Sequence, residues 1–135
     1  MIYMLDTTGL SDVMREHPSF DARLRSLGPE DVVVTCTVAW GEVLFGIQRL
    51  PEGARRSTFE QKASRVKSRF HCMEIAPDVG EFYAATKTVC RRRGTSLGEN
   101  DLWIAATARY LGATVVSRDA DYRRVPGLAV EDWSR

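Results

Sequence analysis

Four acids in this chain stand where chemistry would want them. Asp6 ends the apolar run Ile2–Leu5, just before the chain turns toward helix, and Glu42 lies one helical turn beyond a second apolar run. Asp101 opens an apolar helical stretch in Gly98-Glu99-Asn100-Asp101-Leu102-Trp103, and Asp119 follows the run Thr114–Val116. Gathered unpaired in one pocket, such carboxylates repel and raise one another's pKa. A hard divalent cation removes that conflict: magnesium or manganese takes oxygen ligands and keeps waters, leaving room for phosphate oxygens. Such an ion polarises a phosphodiester and lowers the pKa of a bound water. The chemistry implied is hydrolytic phosphoryl transfer. Each acid also has a plainer reading. Asp101 suits a helix N-terminus, Asp6 an N-cap, and Asp119 or Asp121 an Asx turn. Glu42 is hardest to place otherwise, between Trp40 and Val43 in an apolar helix.

The elements that must position these acids alternate short β-type runs with longer helical patterns, the signal of parallel strands joined by helical crossovers. Strands are expected at Ile2–Leu5, Val32–Thr35, Cys72–Ile75, Thr114–Val116 and Leu128–Val130; several are continuously apolar, as strands covered on both faces are. Helices are expected over 37–50, 54–70, 79–92 and 102–111. Asp78 and Glu81 suggest a capping box for the third, with Gly94 as its stop. A short helical start at Ser11–Arg15 and a piece around Asp21–Leu27 follow the first strand, broken by Pro18. The expected fold is a three-layer α/β domain with a mostly parallel central sheet flanked by helices, one domain over residues 1–135. Ligands of such sheets bind beyond the carboxyl ends of the strands, an edge that could gather all four acids.

Composition excludes other classes. At 135 residues, 44% apolar and 27% charged, the chain is neither a disordered segment nor a disulfide scaffold. No apolar run approaches the roughly 20 residues of a spanning helix, so no membrane role is expected. The start has no basic n-region, and three cysteines without C-x-x-C spacing suit a reducing cytoplasm. Net charge is +1, so any nucleic-acid argument rests on where the charges sit. Residues 49–73 carry seven basic side chains against Glu52 and Glu60. That face, with Arg65 and Arg69 four residues apart, could steer RNA phosphates or be merely solvated. Arg118, beside Asp119, is a further RNA-contact candidate. Trp40 and Trp103 on apolar helices suggest core or dimer packing, and Trp133 a closing contact against the sheet edge.

These motifs together resemble the PIN-domain ribonucleases, specifically the VapC toxins of bacterial toxin–antitoxin pairs. The matching pieces are Met4-Leu5-Asp6-Thr7, Glu42 with Gly46, Gly98-x-x-Asp101-x-x-Ile104-Ala105-Ala106, Val115-Val116-Ser117-x-Asp119, and Pro126-Gly127-Leu128 with Glu131-Asp132-Trp133. They run in the family order from residue 3 to residue 133. The resemblance implies a metal-dependent endoribonuclease in which Asp6, Glu42, Asp101 and Asp119 hold Mg2+ or Mn2+. Ser117 stands where the family has a threonine or serine. Thr8 departs from a frequent asparagine, and Asp121 is near enough to share the role of Asp119. The resemblance also implies a homodimer and a cognate antitoxin. The C-terminal residues and the Glu42–Gly46 spacing look like the subgroup that cuts tRNA. Two other functions compete: a catalytically silent PIN-like binding module, and an aspartate-nucleophile phosphatase. The second resembles D-x-D at its first strand, where this chain reads Asp6-Thr7-Thr8.

Overall fold

A computed structural model describes all 135 residues. Five parallel strands form one sheet in the order β3-β2-β1-β4-β5. They are β1 (Ile2–Leu5), β2 (Val32–Cys36), β3 (His71–Met73), β4 (Thr114–Val116) and β5 (Val130–Glu131). The third and fifth are shorter and shifted from the expected ranges. Glu74 and Pro77 suit a loop after Met73, and β5 pairs only where Val130 and Glu131 meet Val115 and Val116. The central strands are continuously buried where the acids follow them: Tyr3 to Leu5, Val34 to Cys36, and Thr114 to Val116. That is the pattern of strands covered on both faces.

Six helices flank the sheet: α1 (Thr7–Met14), α2 (Pro18–Arg25), α3 (Thr37–Gln48), α4 (Ala54–Arg69), α5 (Val79–Arg92) and α6 (Glu99–Leu111). None is long and apolar enough to cross a membrane. Pro18 opens α2 rather than breaking a helix. At the first helical position its missing N–H costs nothing, and the His17 imidazole caps the turn by accepting from the Phe20 N–H. The expected capping box on α5 does not form. Asp78 is itself helical and makes no side-chain cap, because the N–H groups of Val79, Gly80 and Glu81 bond to the Ala76, Pro77 and Asp78 carbonyls. The buried helix α6 matches its apolar sequence, with Ile104, Ala105, Ala106 and Ala108 fully covered. Gly112 ends it in the left-handed conformation (φ 65°) that favours glycine.

Trp133 packs against Tyr3 of the central strand at 5.1 Å and Phe20 of α2 at 5.2 Å, so it folds over the sheet instead of lying along its edge. Glu131 accepts from the Trp133 indole N–H at 2.9 Å and pairs with Arg23 at 3.2 Å, which ties the C-terminus down. Trp103 stacks on Tyr83 at 4.0 Å, a packing contact between α6 and α5.

Candidate active site

Strand order reverses at β1, with β2 on one side and β4 on the other. The crevice beyond the carboxyl ends of strands at such a switch point is where open α/β sheets bind ligands. Asp6 and Ser117 leave β1 and β4 there. The Asp6 N–H still bonds to the Val116 carbonyl at 3.2 Å, and the Ser117 hydroxyl donates to Asp6 Oδ2 at 2.6 Å. Asp6 is 2% exposed. Its Oδ1 accepts from the Gly9 N–H and the Thr8 hydroxyl, each at 2.8 Å, so it does cap α1. The capping reading thus holds, on a side chain that also stands at the switch point where the site reading requires it. Burial pushes its carboxyl above the ordinary value, three hydrogen bonds pull it back, and the Asp101 charge adds to the rise.

Asp101 sits in the first turn of α6, at the same sheet edge because α6 runs back from that edge to β4. Its Oδ1 accepts from the Tyr122 hydroxyl at 2.9 Å. Burial raises its pKa; the Tyr122 bond opposes this, and the charges of Asp119, Glu42 and Asp121 add to it. Glu42 reaches the same crevice from α3. Its Oε1 accepts from the Thr7 hydroxyl at 2.5 Å and its Oε2 from the Asn100 amide at 3.2 Å. Asp119 is half-buried and caps a 3-10 turn over Ala120–Arg124 through the Asp121 N–H. Asp121 instead pairs with Arg124.

None of the seven ion pairs in the chain involves Asp6, Glu42, Asp101 or Asp119. Acids that feel one another's charge with no cationic side chain among them form a hard-oxygen donor set suited to a divalent cation. As the side chains stand, however, no three His, Cys, Asp or Glu groups converge tightly enough to hold one ion. Each carboxylate accepts a hydrogen bond of its own, from Ser117, Thr7, Tyr122 or the Asp121 amide. The donor chemistry fits the ion, while the side chains as placed do not close a shell around it.

The basic candidates are placed less simply. Arg118 pairs with the buried Asp12 at 3.2 Å, so its guanidinium is already engaged. Arg65 and Arg69 line a groove of about 620 Å³ with Arg25, Lys62, Glu16 and Asp21. That groove contains none of the four acids, because the last turns of α1 and α4 run back toward the opposite sheet edge. Arg49 lines the cavity that Glu42, Thr7 and Asn100 share, and Arg15 and Arg55 line a second one beside Glu42. Spacing on α4 gave no sign of this division. Asn100 and Tyr122 were unmarked in the sequence, and Thr7 stood there only as the end of the Met4-Leu5-Asp6-Thr7 motif, with no role assigned.

The PIN domain family profile matches residues 3–128. The chain belongs to the PIN-domain family. Ribonuclease VapC2 of Rickettsia felis is 26% identical to this PIN domain over the full length of both proteins. Toxin FitB of Neisseria gonorrhoeae is 30% identical over 122 residues, 86% of each. Among solved structures, VapBC2 from Rickettsia felis bound to a promoter DNA fragment superposes with a TM-score of 0.89 at 25% identity. That match covers 98% of this chain and 99% of the other. The expected α/β architecture with its parallel central sheet is thus the PIN fold. Within it, the Thr8 hydroxyl donates to Asp6 and accepts from the Arg118 N–H at 3.0 Å, so the departure from asparagine keeps a polar link at this position.

Proposed function

We propose that this chain is a VapC-type endoribonuclease toxin, one PIN domain over residues 1–135, that hydrolyses RNA phosphodiesters with a bound magnesium or manganese ion. The observation that supports this reading is four carboxylates, unpaired with any cation, placed around the sheet's switch point, where Asp101 feels the charges of Asp119 and Glu42 and Asp6 feels that of Asp101. Asp6, Glu42, Asp101 and Asp119 would hold the ion; Asp119 is preferred to Asp121, whose charge Arg124 already offsets. When bound, the ion supplies Lewis-acid polarisation of the phosphodiester and a more acidic water. Ser117 and Thr8 fix Asp6, while Thr7 and Asn100 fix Glu42. The phosphatase reading is disfavoured by the first strand's end, where Asp6-Thr7-Thr8 lacks the second carboxylate of a D-x-D pair. Mapping RNA ends after brief induction tests the proposal, with tRNA as the expected target. Growth arrest that persists in Asp101→Asn without new RNA ends would refute it.

Partners follow from the same reading. A cognate antitoxin in the cytoplasm is proposed, since the Rickettsia felis neighbour is a VapBC2 complex. A homodimer is proposed through α3. Its Ile47 faces the core, but Phe45 is 64% exposed, and a Cβ added at Gly41 or Gly46 would meet nothing within 4 Å. Bare glycine in a helix interior costs roughly 0.5–1 kcal/mol against alanine, and no contact inside the chain explains it. Close approach of a second copy, at the rim of the cavity that Glu42 and Arg49 line, would account for it. Sedimentation at micromolar concentration should give a dimer, and Phe45→Glu a monomer. A monomeric unmodified chain would refute this.

RNA phosphates are proposed to approach over the basic residues. In an Asp101→Asn background, Arg49→Glu should weaken RNA binding and flatten its dependence on salt by roughly one phosphate contact. The Arg65→Glu/Arg69→Glu pair should weaken all RNAs about equally while leaving the cut site unchanged. Arg118, held by Asp12, should matter less. Affinities measured at two salt concentrations decide; unchanged values and slopes for the pair would show that its groove is only solvated.

A further inference from the structure

We propose that Tyr122 is the positioning residue of Asp101: its buried hydroxyl holds Oδ1 and leaves Oδ2 as the oxygen offered to the cleft. This inference rests on the metal-site reading above. The Tyr122 side chain is 0% exposed and packs in the main core, so the hydroxyl cannot reach water. Its one partner is Asp101 Oδ1 at 2.9 Å. Oδ2 has no hydrogen-bond partner in the chain, yet no unpartnered side-chain oxygen is buried, so Oδ2 is open to solvent. One carboxylate oxygen is thus tied and the other is free.

The tie opposes a specific alternative. Asp101 occupies the first turn of α6, whose N-cap is Gly98 and which has no side-chain cap. The N–H groups of an uncapped first turn lack partners and draw a nearby carboxylate back along the helix. The carboxylate does lean toward the helix start, with Oδ2 3.7 Å from where a Gly98 side chain would begin. The donor from outside the helix therefore fixes its rotation through Oδ1 and keeps Oδ2 from closing onto those N–H groups. The 3-10 turn Ala120–Arg124 delivers that donor. Asp119 caps that turn, so one acid of the site sets the turn that carries the donor for another. In metal sites, partners that orient a ligand typically change affinity by about 10–100-fold when removed.

Manganese titration calorimetry of the full-length protein without RNA, below the melting temperature of each variant, tests this. Tyr122→Phe keeps the ring and removes the hydroxyl. It should weaken manganese binding by about tenfold or more, while RNA affinity in chelator stays unchanged. In an Asp101→Asn background the same change should add no further loss of manganese affinity, because Tyr122 acts through Asp101. A merely structural tyrosine would lower the melting temperature and leave manganese affinity alone. Affinities of wild type and Tyr122→Phe within about twofold, or an equal loss in both backgrounds, would overturn the proposal. A wild type that takes up no manganese would instead overturn the metal-site reading, and this inference with it.

Discussion

Asp6→Asn and Asp101→Asn each lower metal-dependent RNA cleavage by at least about a hundredfold, since metal stabilisation of such a reaction amounts to several kcal/mol. An amide of the same shape removes ligand charge while preserving local structure. Asparagine caps a helix about as well as aspartate. At position 6 its carbonyl keeps the bonds from Gly9 and Thr8 while its NH2 turns to the Ser117 oxygen, and at position 101 its carbonyl still accepts from Tyr122. The variants therefore fold, and without metal they gain stability at neutral pH. Both carboxyls titrate above their ordinary value, principally because they are buried. An acid whose folded pKa is raised contributes stability that is full below its unfolded value and is lost as pH rises through the folded one. In chelator at pH 7, Asp101→Asn should thus melt above wild type, the gap closing as pH falls through the raised folded value to the ordinary carboxylate range and staying closed below it. Full cleavage by both variants with metal supplied would refute the site assignment. A wild type more stable than Asp101→Asn in chelator at pH 7 would contradict the electrostatic account.

Substitution of Gly9 has the second large effect, and its sign opposes the usual rule. Alanine normally stabilises a helix interior over glycine by roughly 0.5–1 kcal/mol. At Gly9 an added Cβ would lie 2.9 Å from the Val116 carbonyl oxygen of β4 and 3.3 Å from Leu5 Cβ. The obstruction is backbone, which cannot rotate aside. Gly9→Val should therefore cost about 1–3 kcal/mol as an overpacked contact. It should also push the start of α1 off β4, breaking the Asp6–Val116 backbone bond and loosening Asp6 from Ser117. Misplacement of a reacting group by about 1 Å costs on the order of a hundredfold in rate. Thermal melting and cleavage assays on Gly9→Ala and Gly9→Val check this; a higher melting temperature for Gly9→Ala would show that α1 yields without strain.

What the sequence determined by itself is the local grammar. Residues 2–5 and 114–116 read as strands because a buried parallel strand is continuously apolar, and residues 79–92 as a helix because their apolar positions recur at helical spacing. The acids at the strand ends followed from the rule that open α/β sheets present their carboxyl edge, and the spaced motifs marked the family. Boundaries at β3, β5 and the Pro18 segment were less legible. There, pairing register and a proline tolerated at a first helical position outweighed propensity. Only the tertiary structure could decide which groups hold each acid. Tyr122 lies 21 residues from Asp101, Ser117 lies 111 from Asp6, and Thr7 lies 35 from Glu42. No local period encodes such separations. It also divided the basic residues: Arg49 lines the cavity of Glu42, while Arg65 and Arg69 turn to a groove at the opposite sheet edge. Helical spacing fixes which side chains share a face of one helix, but the packing of that helix against the sheet fixes what the face looks at.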